Sequence, residues 1–231
     1  MLDQAIESLK TYDWGTDLDA LQPIEDAVIA THGDAAARAD LEAKLTGVLQ
    51  SGLSRDGIDY VCRKLRVIGT AASVPALKGL LAQQENSHMA RYALEDIKAP
   101  EAAAALQESL AELTGDLKVG VISTLGVRRD PSSVAYLAGL VNDDDAAVAC
   151  AAVYALGDIR SADAAAALST AKPRQAVDAA LTDASLACAE GLVGAGKKAK
   201  ALAIYKKMAS GDQPKHVRLA AAKGMLTCAG Q

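Results

Sequence analysis

The sequence predicts an all-α fold, a right-handed α-α superhelix (α-solenoid) of about six to seven antiparallel helix pairs. Three observations predict it. An alanine-rich stretch closing on an aliphatic residue recurs six times, at Ile68, Ile97, Leu125, Leu156, Leu192 and Met225, at offsets of 29, 28, 31, 36 and 33 residues. One helix pair fits each interval. Alanine dominates a chain that has no Phe and one Trp, which favours helix and lets helix axes approach closely. Finally, β-branched and aromatic residues are too sparse for a sheet. The core must therefore be built of Leu, Val, Ile and Ala in thin layers, each stabilised by its neighbours.

The elements follow in order. The opening MLDQAIESLK is amphipathic and carries Asp3 and Glu7, so it is neither a signal peptide nor a membrane span. The next aromatic run, Tyr12-Asp13-Trp14-Gly15, is expected to be an N-terminal cap packed on the first helix pair, rather than a ligand-stacking site. That first pair is predicted over 17–31 and 34–50, joined at His32-Gly33, with Thr16 and Asp19 placed as a capping box.

Four segments then share one plan of apolar helix, punctuated turn and second helix: 61–81, 90–110, 118–140 and 149–168. Gly69, Gly126 and Gly157 sit where the first helix is expected to stop, in the position of a left-handed cap. Pro100 and Pro131 sit where the second helix starts, and Asp130 precedes Pro131 as an N-cap.

The segment D145-AA-V148-A-CA-A152-VY-A155-L156-G157 and the segment PKH-V217-R218-LA-A221-AK-G224-M225 carry an acidic or polar start followed by a V-x-x-x-A-x-x-A-L-G-like pattern. On these residues the chain resembles the HEAT-repeat family, in particular its short PBS-lyase-like bacterial form, over about residues 16–231. The family arginine survives only at Arg218, Ala149 standing in the matching slot. The resemblance implies antiparallel helix pairs with the second helices on the concave side, and it implies a scaffold rather than an activity. Residues 184–209 depart from this plan. With small residues in the first helix, a central Gly and A-x-x-x-Y in the second, they are similar to a tetratricopeptide repeat. The resulting organisation is a single solenoid over 1–231: a cap at 1–15, HEAT-like pairs at 16–174, a tetratricopeptide-like pair at 175–213 and a terminal unpaired helix at 214–231. That last helix leaves Leu219, Met225 and Leu226 in need of cover, which predicts self-association or a longer chain.

Enzyme signatures are weak. G191-LVGA-G196-K197-K198 has phosphate-loop spacing, but helix-type residues lead into it and Lys198 stands where a magnesium-binding hydroxyl belongs. N142-D143-D144-D145 lacks the alternating ligands and glycine of a calcium loop and reads as a helix cap with dipole complement. No nucleophile elbow, C-x-x-C or His/Cys cluster is present, so no catalytic residue, metal or cofactor is assigned. Cys62, Cys150, Cys188 and Cys228 read as buried free thiols, with Cys62 and Cys150 in the same slot three repeats apart.

Charge is uneven beneath the net −5: residues 1–60 carry −8 and residues 171–231 carry +6. The basic end, with Lys197, Lys198, Lys200, Lys206, Lys207, Lys215, Arg218 and Lys223, raises the alternative of a nucleic-acid-binding protein like the HEAT-like DNA glycosylases, with only Tyr205 to stack a base. Attachment of bilin chromophores, known for some relatives, has no residue to carry it here. The preferred reading is a non-catalytic protein-interaction scaffold, a segment of a larger protein, binding a peptide or helix on the concave face. If Leu77, Leu106, Leu137 and Leu168 are matched core positions, the neighbouring surface slots nominate Lys78, Gln107, Tyr136 and Ser169, with Tyr205 further on, as partner-binding residues. The chain is expected to be soluble and cytoplasmic by default, with an exported origin left open if Met1 is not the native start.

Overall fold

A computed structural model describes residues 1–15, 18–210 and 212–230. Among them are fourteen α-helices, and the chain divides into two compact units, residues 1–113 and 114–231. The predicted capping box at Thr16 lies outside the described residues.

The first unit holds α1 (Leu2–Ser8), α2 (Gln22–Ala30), α3 (Ala35–Val48), α4 (Arg55–Ile68), α5 (Val74–Leu80), α6 (Ser87–Asp96) and α7 (Pro100–Ser109). First helices stack on first helices, α4 against α6, and second on second, α5 against α7. The layers are closed by Leu65, Ile68, Leu77, Leu94, Ile97 and Leu106, all essentially inaccessible. Each such side chain contributes about 2–3 kcal/mol of apolar burial. The turn at His32-Gly33 is as predicted: Gly33 takes φ 82°, and Asp34 caps α3 by accepting from the amides of Ala36 and Ala37.

One buried acid ties consecutive pairs together. Glu42 on α3 is 3% exposed, and its carboxylate accepts from the Thr70 amide (2.6 Å), the Thr70 hydroxyl (2.9 Å) and the Ser73 hydroxyl (2.5 Å). It satisfies the turn that leads into α5, so the cap of one repeat is supplied by the repeat before it.

The N-terminal aromatics, expected against the first helix pair, lie instead against Tyr60 of α4, the first helix of the pair that follows. Tyr12 is buried edge-on to Trp14 (5.4 Å) and Tyr60 (5.8 Å). The guanidinium of Arg63 lies 5.6 Å from the Trp14 ring and 5.6 Å from Tyr92, and that of Arg66 lies 4.0 Å from Tyr92. Both cations are paired, Arg63 with Asp59 and Arg66 with Asp96, so the cluster is a neutralised latch between the N-terminal segment, α4 and α6.

The second unit holds α8 (Gly115–Arg128), α9 (Val134–Ala138), α10 (Ala146–Ile159), α11 (Ala162–Leu168), α12 (Gln175–Gly194), α13 (Lys198–Ser210) and α14 (Lys215–Ala229). Here α8, α10 and α12 stack in sequence, α9 packs on α11, and α12, α13 and α14 continue the order. Leu125, Leu137, Leu156 and Leu168 are the buried layer positions. Asp130 caps the turn at Pro131 by accepting from the Ser132 amide, and Asp145 caps α10 through the Ala147 amide.

The glycine caps need correction. Gly69 does follow α4, but in extended geometry (φ −62°, ψ 146°), while Gly126 and Gly157 lie inside α8 and α10. The left-handed caps are instead Arg129 (φ 53°) and Arg160 (φ 54°). These helices run past the predicted stop because the glycines serve neighbours rather than turns. A Cβ at Gly126 would stand 2.7 Å from the Ala155 Cα, and one at Gly157 would stand 2.8 Å from the Ala184 Cα. The thiol reading also changes in part. All four cysteines are free, but only Cys62 and Cys188 are buried, while Cys150 and Cys228 are half-exposed. The stretch expected to be tetratricopeptide-like forms α12 and α13, turned by Gly196 at φ 73°.

Candidate functional site: a groove between two second helices

The irregular 36-residue interval opens a groove. The other first helices of these stacks have 10 to 14 residues, whereas α12 has 20. The link between α11 and α12 runs over residues 169–174 and contains Pro173, which cannot continue a helix. A cavity of about 540 Å³ opens between α11, α12 and α13, beside the place where Ala162 and Ala165 pack against the cluster of Leu192, Tyr205 and Met208. Its volume lies within the range typical of ligand and peptide pockets.

Leu168 and Ala165 on α11, Leu181 on α12, and Ile204 and Met208 on α13 give the groove its apolar floor. Pro173 and Pro214 bound it, one in each link. The link at 169–174 is held from the preceding repeat. Asn142 donates to the Thr170 carbonyl (3.2 Å) and accepts from the Lys172 amide (2.7 Å), while the Arg174 guanidinium donates to the Asp143 carbonyl (2.8 Å). The N142-D143-D144-D145 run is thus a cap through Asp145 and a clamp through Asn142 and Asp143.

The polar wall has a definite sense. Ser169, Thr182 and Ser185 each donate their hydroxyl proton to a helix carbonyl, those of Ala166 (2.6 Å), Asp178 (2.9 Å) and Leu181 (2.6 Å). With these protons committed, the hydroxyl oxygens are left as acceptors. The carboxylates of Asp178 and Asp212 add acceptors at the rim, and Lys207 is the charged donor. An apolar floor under an acceptor-rich wall fits a ligand that brings a large apolar group together with N–H donors or a cation.

The five residues nominated from the sequence fare differently. Ser169 lines the groove. Tyr136 is half-exposed on α9. Lys78, in the first unit, is bound to Glu108 at 2.6 Å, a bridge between α5 and α7. Gln107 is buried at 8% exposure, so it is not a surface slot. Tyr205 is also buried, at 4%, under α14: a Cβ at Gly224 would stand 2.3 Å from its ring. Burial first, then Glu190 and Cys228, push its hydroxyl above the ordinary tyrosine range. Tyr205 packs with Leu192, Met208, Val217 and Ala221, so the one aromatic that a nucleic-acid reading had for base stacking belongs to the core. Of the four slots beside the matched leucines, only the one on α7 is closed on both sides, with Ala105 and Gln107 both buried. Leu181, Thr182, Ile204 and Met208 were missed; the lengthened interval was their only sequence signal.

Other groups resolve as structure. The phosphate-loop-like stretch spans the end of α12 and the start of α13, with Gly191 packed against Arg160 and Lys198 donating to the Gly230 carbonyl (2.9 Å). Among the described residues no group of three or more His, Cys, Asp or Glu could hold a metal ion, and no helix is long and apolar enough to cross a membrane.

Residues 114–186 match the family of HEAT repeats, which begins with α8 and ends inside α12. No curated protein matches the chain. Among solved structures the chain is similar to human deoxyhypusine hydroxylase in complex with glycerol, at 16% identity, with 100% of this chain and 96% of that chain covered and a TM-score of 0.39. No residue or activity transfers to this chain at that level of likeness.

Proposed function

We propose, from a chain that carries HEAT repeats over residues 114–186, that it is a non-catalytic scaffold which binds a protein partner through the groove between α11 and α13. The observation that carries this is the groove itself, where an apolar floor of Leu168, Leu181, Ile204 and Met208 lies beneath hydroxyls whose protons are already committed. The partner segment is a peptide or helix that places a Leu- or Met-sized side chain on that floor and Lys, Arg or backbone N–H groups against the wall. HEAT repeats generally serve protein interactions, which supports the same reading.

Selection of a displayed peptide library on the whole chain tests it. Enriched sequences should pair a large aliphatic residue with Lys or Arg, and Ile204→Asp, at a partly exposed floor position, should weaken their binding at least tenfold. Tyr136→Ala should leave binding unchanged. Absence of enrichment, or enriched peptides indifferent to Ile204→Asp in a chain with unchanged helicity, would refute the assignment.

A further inference from the structure

We propose that this chain associates head to tail, the basic leucine face of α14 in one copy docking on the acidic face of α2 and its preceding turn in a second copy. This goes beyond the groove, which neither surface touches.

On α14, Leu219 is 60% exposed and Leu226 74% exposed. They lie seven residues apart, with exposed Ala222 between them, so they form one stripe along the helix. Lys215, Arg218 and Lys223 are exposed beside the stripe, and α14 contains no acidic residue. On the first unit, Ile29 is 71% exposed and Leu18 54% exposed. Gln22, Asp26 and Ile29 share one face of α2, Asp26 is held by a hydrogen bond from the Gln22 amide (2.9 Å), and Asp19 stands exposed in the turn before it. The basic residues of the first thirty positions number one, Lys10, and it is bonded to Glu7.

Each surface presents two large apolar side chains with exposed charge beside them, cationic on α14 and anionic on α2, where the cation Lys64 is paired with Glu25. Two α14 faces would bring three cations against three with no acid between them, so a symmetric α14 dimer is opposed by its own charge. The acidic face of a second copy supplies what α14 lacks. Because the two faces differ, the contact is heterologous, and every copy carries one face of each kind. Attraction between exposed charges weakens with ionic strength.

Sedimentation velocity of the full chain over a concentration series, at low and high salt, tests this together with Leu226→Glu and Ile29→Arg. The wild type should grow in mass with concentration at low salt and lose most of that growth at high salt. Each single variant should stay monomeric. Mixed together, the two variants should form a one-to-one dimer that neither makes alone, because one keeps its α2 face and the other its α14 face. A wild type that stays monomeric at low salt and high concentration overturns the proposal. So does an Ile29→Arg chain that assembles like wild type, the behaviour of an α14–α14 dimer, or a mixture that stays monomeric. All four leucine and isoleucine positions are exposed, and unchanged circular dichroism of each variant separates loss of docking from loss of fold.

Discussion

Replacing Gly157 by Ala inside α10 should destabilise the second unit, although the same change in an open helix is favourable. Helix propensity alone favours alanine by about 1 kcal/mol, because glycine loses more backbone freedom on folding. At Gly157, however, the added methyl would stand 2.8 Å from both the Cα and the Cβ of Ala184 on α12. That is about 0.7 Å short of an ordinary carbon–carbon contact. One of the obstructing atoms is backbone, so no rotamer change relieves it; α12 has to move away from α10. Overpacking of this kind costs about 1–3 kcal/mol, and displacement of a whole helix belongs at the upper end. The net expectation is a loss of about 1–2 kcal/mol. Gly47→Ala on α3 is the control, since nothing lies within 4 Å of its added methyl; it should leave stability unchanged or raise it by up to about 1 kcal/mol. Urea unfolding followed by far-UV circular dichroism measures both. A Gly157→Ala protein as stable as wild type, or more so, would refute the argument that this glycine is dictated by the α10–α12 approach.

Four further outcomes follow from the same geometry. Arg129→Gly should stabilise the protein by about 1 kcal/mol, because a left-handed backbone at φ 53° strains any residue with a Cβ; a melting curve checks the sign. Glu42→Ala should cost about 2–4 kcal/mol, since it strands the Thr70 amide and Ser73 hydroxyl in a buried site, and denaturant titration reads it directly. Burial pushes the Cys62 thiol up to about 12, with Asp59 adding to it, and burial lifts Cys188 to about 11 against a smaller opposing effect of Arg160. Alkylation at mildly alkaline pH with mass mapping should therefore label the half-exposed Cys150 and Cys228 first, and Cys62 and Cys188 only on unfolding. Burial alone would raise the Glu25 carboxyl, but hydrogen bonds from Lys64 and Tyr60 outweigh it and hold it below the usual range. Its folded-state value is thus depressed, so its contribution is complete above the unfolded-state value and lost as pH falls through the lower one. Trp14 fluorescence, reporting on the Tyr60 cluster, should hold steady to about pH 4 and change below it, a change that Glu25→Gln removes.

Much of the architecture was legible in the chain itself. The spacing from Ile68 to Met225, the alanine content and the punctuation at Gly33, Pro100 and Asp130 determined helix pairs in sequence, because periodicity and capping are local properties of the backbone. The buried leucines at 77, 106, 137 and 168 were legible for the same reason. What only the tertiary structure decided is which side of each helix is covered and by what. Gly126 and Gly157 looked like stops, and the packing of α8, α10 and α12 shows them as contact points. Gln107 and Tyr205 looked like surface, and the neighbouring helices bury them. The groove between α11 and α13 arises from the mismatch between a 20-residue first helix and its shorter neighbours, together with a link clamped by Asn142. A repeat period specifies that helices stack; the distances between helices far apart in sequence specify where the stack parts to leave a cavity.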